Sequence, residues 1–275
     1  MEKPWISTKL TGGLGNRMFQ IMAAIGVAER RGYRPVFFLP RMMKSDHAPF
    51  DTILHFFPNL LVLDSAAEWE TVIENDIEQQ VDEKKLTGKG PVVLQGYFQN
   101  TDNFPSLSSK YLPEIPHSGK QESQEKVAIH FRFGDYRILP HHQIDLGSYY
   151  AKCISQYTKG TTFLLFSDTL DKLPEIADEI REMGYTVEVF SEKDILKTFQ
   201  AFASCSLGSI CSNSTFSWWA AWFAWRRNGP SYSAYFPNKW LQNRMPWNIF
   251  TFPFTRFYVL SSLPAFPRLK SFSYF

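Results

Sequence analysis

Cysteine is scarce: the 275 residues hold three, at positions 153, 205 and 211, and no Cys-x-x-Cys pair. An odd count without framework spacing excludes a disulfide scaffold and points to reduced thiols in a reducing compartment. Acidic residues stop at Asp194, so residues 195–275 carry eight basic side chains and no Asp or Glu, although the whole chain has a net charge of only +2. A positive potential of that kind favours anionic ligands or a phospholipid surface, against the plainer reading of solvated charge. No Asp-x-Asp pair occurs to hold a divalent ion against a sugar nucleotide, and the adjacent His141 and His142 point apart in an extended chain. No metal site is expected. The opening Met-Glu-Lys-Pro-Trp-Ile lacks the apolar run of a signal peptide. The expectation is a cytoplasmic protein, at most peripheral to a membrane. The one long uncharged stretch, 198–225, contains Gln200, Ser204, Ser206, Ser209, Ser212, Asn213, Ser214 and Ser217. It is too polar for hydrocarbon and reads as buried strand plus helix.

What is abundant is aromatic: 25 Phe, 12 Tyr and 8 Trp, or 16% of the chain. Core packing is the first reading, with a stacking surface, an acceptor groove or a membrane-facing patch as alternatives. Hydrophobic residues at 44% and charged residues at 20% are ordinary for a globular chain that buries a sizeable core. No internal repeat is visible.

Short β-branched runs alternate with amphipathic ones. Strands are expected at 5–11, 34–39, 60–63, 91–96, 127–132, 162–167, 186–190, 207–212 and 233–236, and helices at 16–31, 66–78, 147–157, 171–183, 194–204 and 216–226. Repeated strand and helix in alternation imply parallel sheets covered on both faces, an α/β architecture. The stretch 113–126, with two prolines and mixed Gln, Glu, Ser and Lys, has no apolar periodicity. It reads as a linker between two Rossmann-like halves facing across a cleft, with ligands at the carboxyl ends of the strands. The expected division is 1–115 on the acceptor side, a linker at 116–126, a nucleotide-binding half at 127–245, and an aromatic segment at 246–275 that returns to the first half.

Three segments could carry chemistry. Thr11-Gly-Gly-Leu-Gly-Asn-Arg-Met-Phe-Gln20 follows a strand and opens a helix. Gly12, Gly13 and Gly15 permit positive φ and close approach to a ligand, and the helix N-terminus offers N–H donors to an anion. The spacing is neither G-x-G-x-x-G nor a P-loop, and a purely structural turn stays open. Asn16 and Arg17 are donors that such a turn does not need. In Val127-Ala-Ile-His-Phe-Arg-Phe-Gly-Asp-Tyr136, strand alternation puts His130 and Arg132 on one face at a strand's carboxyl end. A guanidinium fork there suits a diphosphate, against an Arg132–Asp135 ion pair that only holds a turn. In Ile210-Cys-Ser-Asn-Ser-Thr-Phe-Ser-Trp-Trp-Ala-Ala-Trp222, Ser214 and Thr215 can cap a helix whose start attracts phosphate. Trp218, Trp222 and Trp225 share a helix face and read as core.

Taken in order, GGLGNRMFQ, HFRFGDY, FLLFSD at 163–168 and SNSTFSWWAAW resemble glycosyltransferase family 11, the α-1,2-fucosyltransferases, over roughly residues 8–225. The resemblance implies a GT-B fold, GDP-β-L-fucose as donor, a galactose-type acceptor, inversion at the anomeric carbon and no metal or other cofactor. On the matching positions it assigns Arg132, Asn16, Gly12, Gly13 and Gly15 to the phosphates. Ser214, Thr215 and Phe216 go to the phosphate and nucleotide site, and His130 and Asp168 to the nucleoside side. Asp135 is the candidate base, a weak one, since a neighbouring guanidinium depresses a carboxylate pKa. The chain departs from the family's H-x-R-R-x-D pattern at Phe133, and the segment from 246 onward matches poorly. Expected partners are GDP-fucose, a galactose-terminated glycan and peripheral contact with a membrane, with no nucleic acid. A non-catalytic sugar-binding module and a single-stranded nucleic-acid binder are the alternatives.

Overall fold

The computed structural model describes residues 3–38, 52–63, 70–73, 80–88, 90–115, 123–242, 252–258 and 268–274. The described residues up to 115 form one compact unit, and those from 123 onward form another.

The first unit opens with strand β1 (Trp5–Thr8) and helix α1 (Leu14–Arg31), followed by β2 (Arg34–Pro35), β3 (Phe37–Phe38), α2 (Thr52–Phe56), β4 (Val62–Leu63), β5 (Glu70–Ile73) and β6 (Val92–Gln95). Its main sheet has the order β2-β1-β6-β5, all parallel, and β3 pairs with β4 separately. The chain steps from β1 to β2 on one side and later returns to place β6 on the other. The carboxyl ends of β1 and β6 are therefore a topological switch point, where open α/β sheets bind ligands. Helix α1 is buried along most of its length and ends where Gly32 turns the backbone to φ 75°. The expected helix at 66–78 is corrected by β5, whose Glu70–Ile73 run pairs in register with Val92–Gln95. Local helix formers there yield to strand pairing across some twenty residues of sequence.

The second unit runs β7 (Val127–Phe131), α3 (Gly147–Ile154), β8 (Thr162–Ser167), α4 (Leu173–Glu182), β9 (Thr186–Val189), α5 (Ile195–Ser204), β10 (Gly208–Ile210), α6 (Thr215–Asn228), β11 (Ala234–Pro237) and β12 (Thr255–Tyr258). Its six strands are all parallel, in the order β9-β8-β7-β10-β11-β12. In chain order this is 3-2-1-4-5-6, the doubly wound arrangement, with its switch point between β7 and β10. Both units thus have the parallel α/β construction that the sequence implies.

Helix α6 is apolar on every side and wholly interior over most of its length: Trp218, Trp219 and Trp222 have no exposed surface. Trp218 and Trp225 pack against Phe252 and Phe254 at ring separations of 5.4–5.9 Å. Residues 252–258 and 268–274 lie in this unit, and Leu269, Phe272 and Tyr274 join its core. The described part of the expected aromatic segment supplies strand β12 and core aromatics here; residues 246–251 lie outside the described residues. None of the aromatic side chains described after Thr215 is exposed, so core packing accounts for them. Part of the expected linker also belongs here, since Gln124 bridges to Cys205; residues 116–122 lie outside the described residues. The three cysteines are free and buried, and burial pushes the thiols of Cys205 and Cys211 up to about 12. No described helix is long and apolar enough to cross a membrane.

Candidate functional site

The first-unit switch point is a turn tied to the chain after β6. Gly12 has φ 72°, and a Cβ there would meet Asn16 Nδ2 at 2.7 Å. Gly13 has φ −69° and Gly15 is already inside α1, so positive φ is needed at one glycine of the three expected. The Arg17 guanidinium is fully buried and its Nε donates to the Gly12 carbonyl at 2.9 Å. Burial lowers its pKa. Arg17 is therefore a strut of the turn, where the sequence suggested a spare donor. Gln20 ties the loop to its neighbours, accepting from Thr11 N–H at 3.0 Å and donating to the Thr11 hydroxyl and the Gly96 carbonyl at 2.9 Å each. Asn16 Oδ1 accepts from Gln99 Nε2 at 2.9 Å, which joins the chain after β1 to the chain after β6.

At the second-unit switch point two of the singled-out segments meet. Ile129 pairs with Ile210 in register, so residues from 130 and from 211 leave adjacent strands side by side. His130 Nδ1 lies 3.1 Å from Ser212 Oγ and 2.6 Å from Ser217 Oγ, and these two hydroxyls are 2.9 Å apart. The His130 ring also packs on Phe216 at 5.2 Å. Burial, and secondarily the Arg132 charge, brings the His130 pKa down to about 3, so the imidazole is neutral at any ordinary pH. His130 links β7 to the start of α6. Tyr136 makes a second link, donating to the Asn213 carbonyl at 2.8 Å. Ser214 precedes α6 and makes no capping bond with its side chain, although it is nearly buried.

Arg132 is held at the rim with its side chain 21% exposed. Its NH2 donates to Asp135 Oδ1 at 2.7 Å and its NH1 pairs with Asp168 Oδ2 at 2.9 Å. Burial pulls the guanidinium pKa down, but the carboxylates of Asp168 and Asp135 outweigh it and raise it. The ion pair expected as the plain alternative is present and is doubled by Asp168. Two of five guanidinium N–H donors are committed to these carboxylates, which leaves the rest of the fork for an anion. Asp168 Oδ1 also accepts the Phe133 N–H at 3.0 Å, so both its oxygens are engaged. Gly134 fits beneath it because a Cβ would stand 2.2 Å from Asp168 Oδ2. Asp135, 31% exposed on its side chain, sits where it orients Arg132.

Phe133 points the other way. It is fully buried and nearly parallel to the Phe131 ring at 6.2 Å, with Phe272 at 5.4 Å and Tyr274 at 6.3 Å. Phe131 ends β7, and Phe133, just past it at the start of a 3-10 turn, packs on the same Phe272 ring. His141 and His142 do not point apart: they lie in a 3-10 turn with ring centroids 4.5 Å apart. Burial lowers the His142 pKa to about 4, and its ring stacks on Tyr136 at 4.4 Å. No group of three or more His, Cys, Asp or Glu among the described residues is arranged to hold a metal ion. Sequence reasoning passed over Ser212, Ser217 and Tyr136 as site members. Ser217 carried a signal, since it lies one helical turn after Ser214.

The ordered segments and this joining of them decide the family, because the profile of glycosyl transferase family 11 matches residues 5–229. The chain belongs to glycosyl transferase family 11. Among relatives, the chain is similar to an α-1,2-colitosyltransferase of Escherichia coli, 28% identical over 257 residues, covering 79% of this chain and 87% of that one. Among solved structures it is similar to the fucosyltransferase NodZ from Bradyrhizobium, with 14% identity and a TM-score of 0.46 over 86% of this chain and 95% of that one. It is also similar to FUT1 of Arabidopsis thaliana in complex with GDP, at 11% identity and a TM-score of 0.47, covering 86% and 70%. At those scores the structural likeness is loose.

Proposed function

We propose that this family 11 glycosyltransferase is an inverting fucosyltransferase that moves L-fucose from GDP-β-L-fucose to O2 of a terminal galactose-type acceptor, without a metal ion. The observation that carries the reading is the meeting of two motifs at the β7–β10 switch point. His130 binds Ser212 and Ser217, and Arg132 stands just past the end of the same strand with part of its fork uncommitted. The acceptor hydroxyl attacks the anomeric carbon from the face opposite the diphosphate, the C–O bond to phosphate breaks, and GDP leaves with the electron pair. Charge on the leaving diphosphate is met by Arg132 and by the positive end of α6 at Ser214, Thr215 and Phe216. Asp168 and Asp135 position the guanidinium, and a proton acceptor near the acceptor sugar takes the hydroxyl proton. His130 is a neutral support beneath Phe216.

The colitosyltransferase relative favours a second reading, in which the sugar moved is colitose, a 3-deoxy form of fucose. Incubating the protein with GDP-fucose or GDP-colitose and a galactose-terminated oligosaccharide, in excess EDTA, separates the two. An α-1,2-linked fucosyl product by NMR supports the first reading, and turnover with GDP-colitose alone supports the second. Another linkage, or activity lost in EDTA and restored by Mn²⁺, overturns the mechanism.

A further inference from the structure

The donor reading leaves one guanidinium where the family pattern has two, because Phe133 occupies the second position and is buried. What buries it is the chain's own C-terminal segment. Phe272 packs on Phe133 at 5.4 Å, on Phe131 at 6.3 Å and on Tyr150 at 5.1 Å, and Tyr274 meets Phe133 edge-on.

This segment is held down by a carboxylate. Glu179 of α4 accepts from the backbone N–H of Lys270 at 2.6 Å, and from the N–H and the hydroxyl of Ser271 at 2.7 and 2.6 Å. Three charge-assisted bonds from two consecutive residues immediately before Phe272 fix where that ring falls. Leu269 N–H donates to the Gly147 carbonyl at 3.2 Å, and Arg268 pairs with Asp145 at 3.1 Å.

The consequence reaches Arg132 through a short covalent and hydrogen-bonded path. With its ring clamped, Phe133 fixes its own backbone N–H, which donates to Asp168 Oδ1, and the other oxygen of Asp168 pairs with Arg132. The two residues are consecutive, with the Arg132 guanidinium on Asp135 and Asp168 and the Phe133 ring on Phe131 and Phe272, so anchoring one aims the other. We propose that residues 268–274, latched by Glu179, are a positioning element that aims Arg132 at the donor diphosphate. The position that carries a second Arg in the family has become, in this chain, the anchor for its first. The inference rests on the donor reading, because aiming Arg132 matters only if Arg132 binds the donor.

The test is GDP titration by calorimetry, with donor KM and kcat and a melting curve for each variant. Glu179→Ala is expected to weaken GDP binding about tenfold and raise the donor KM alike, the scale of one charge-assisted hydrogen bond. Ser271→Ala, which removes one bond of three, is expected to cost about threefold, and Glu179→Asp to recover part of the loss. In an Arg132→Lys background, which keeps charge but loses the fork, Glu179→Ala is expected to cost less than about twofold, the coupling that a path through Arg132 requires. Folded Glu179→Ala with wild-type GDP affinity overturns the proposal, as does an undiminished loss in the Arg132→Lys background. Should Glu179→Ala not fold, Ser271→Ala and Phe272→Leu decide by the same readings. Wild-type protein that binds no GDP sinks the donor reading itself, a distinct result.

Discussion

The two switch points place an arginine differently. Arg17 lies in the first turn of α1, past the loop that follows β1, and Arg132 lies just past the end of β7, ahead of a 3-10 turn. Arg17 is fully buried and its Nε donates to the Gly12 carbonyl of its own loop. Arg132 keeps a fifth of its side chain exposed and is paired with two carboxylates that orient it without closing it off. The difference teaches that a guanidinium beside a glycine-rich turn is a ligand-binding group only where other residues aim it outward. Arg17 bonds the Gly12 carbonyl inside the loop, and Arg132 pairs with carboxylates at the rim.

The largest expected effect comes from forcing the buried face of the second switch point to carry charge. Phe133→Arg places a guanidinium among Phe131, Phe272 and Tyr274, with a cost of about 4 kcal/mol or more, from lost aromatic packing and an unpaired buried charge. Denaturant unfolding is expected to show that drop, with GDP binding no better than wild type. Unchanged stability and tighter GDP binding would mean that the position can face the donor.

Next comes acid. His130 has a folded pKa of about 3 against an ordinary 6.5, so the unfolded chain binds the extra proton between those values. Stability from the neutral imidazole is complete above the unfolded pKa. It is lost as pH falls toward about 3, at up to about 1.4 kcal/mol per pH unit. His142, held near 4 by burial, adds in the same direction. Melting temperatures from pH 7 to pH 4 are expected to fall more steeply for wild type than for His130→Gln. Parallel curves would contradict the burial of a neutral imidazole.

The first switch point is expected to respond in stability before it responds in binding. Arg17→Met removes a buried strut and leaves the Gly12 carbonyl without its Nε donor, for about 2 kcal/mol. Gly12→Ala adds a Cβ at positive φ against Asn16, for about 1 kcal/mol. Both are expected to lower the melting temperature while GDP affinity stays within about twofold, less than one hydrogen bond's worth. A loss of GDP affinity as large as that of an Arg132 variant, with stability intact, would erase the distinction between the two turns.

Much of this was legible in the chain. The alternation of β-branched strands with helices sets the α/β class, and the strands at 127–131 and 162–167 fall within a residue of expectation. His130 meets Phe216 of the third motif, together with Ser212 and Ser217, as adjacent strand ends imply. What was not legible depends on pairing across distance. Glu70–Ile73 looks helical until β6 is beside it, and Thr255–Tyr258 looks like tail until β11 pairs with it. Asp168 lies 35 residues from Phe133 in sequence, so its hold on the 132–134 turn appears only when β7 and β8 are adjacent. The burial of Phe133 under Phe272 and Tyr274 was not legible either, because no local pattern ties a C-terminal segment to a strand end.

The central claim is that Arg132, aimed by Asp135 and Asp168, is the donor-binding charge of this glycosyltransferase. Calorimetric titration of GDP into wild type and Arg132→Ala, with circular dichroism confirming both folds, tests it most directly. A loss of about a hundredfold or more in affinity is predicted, the scale of a severed bidentate phosphate contact, with Arg132→Lys in between. Wild-type GDP affinity in folded Arg132→Ala would contradict the claim and leave the arginine as a turn-holding ion pair.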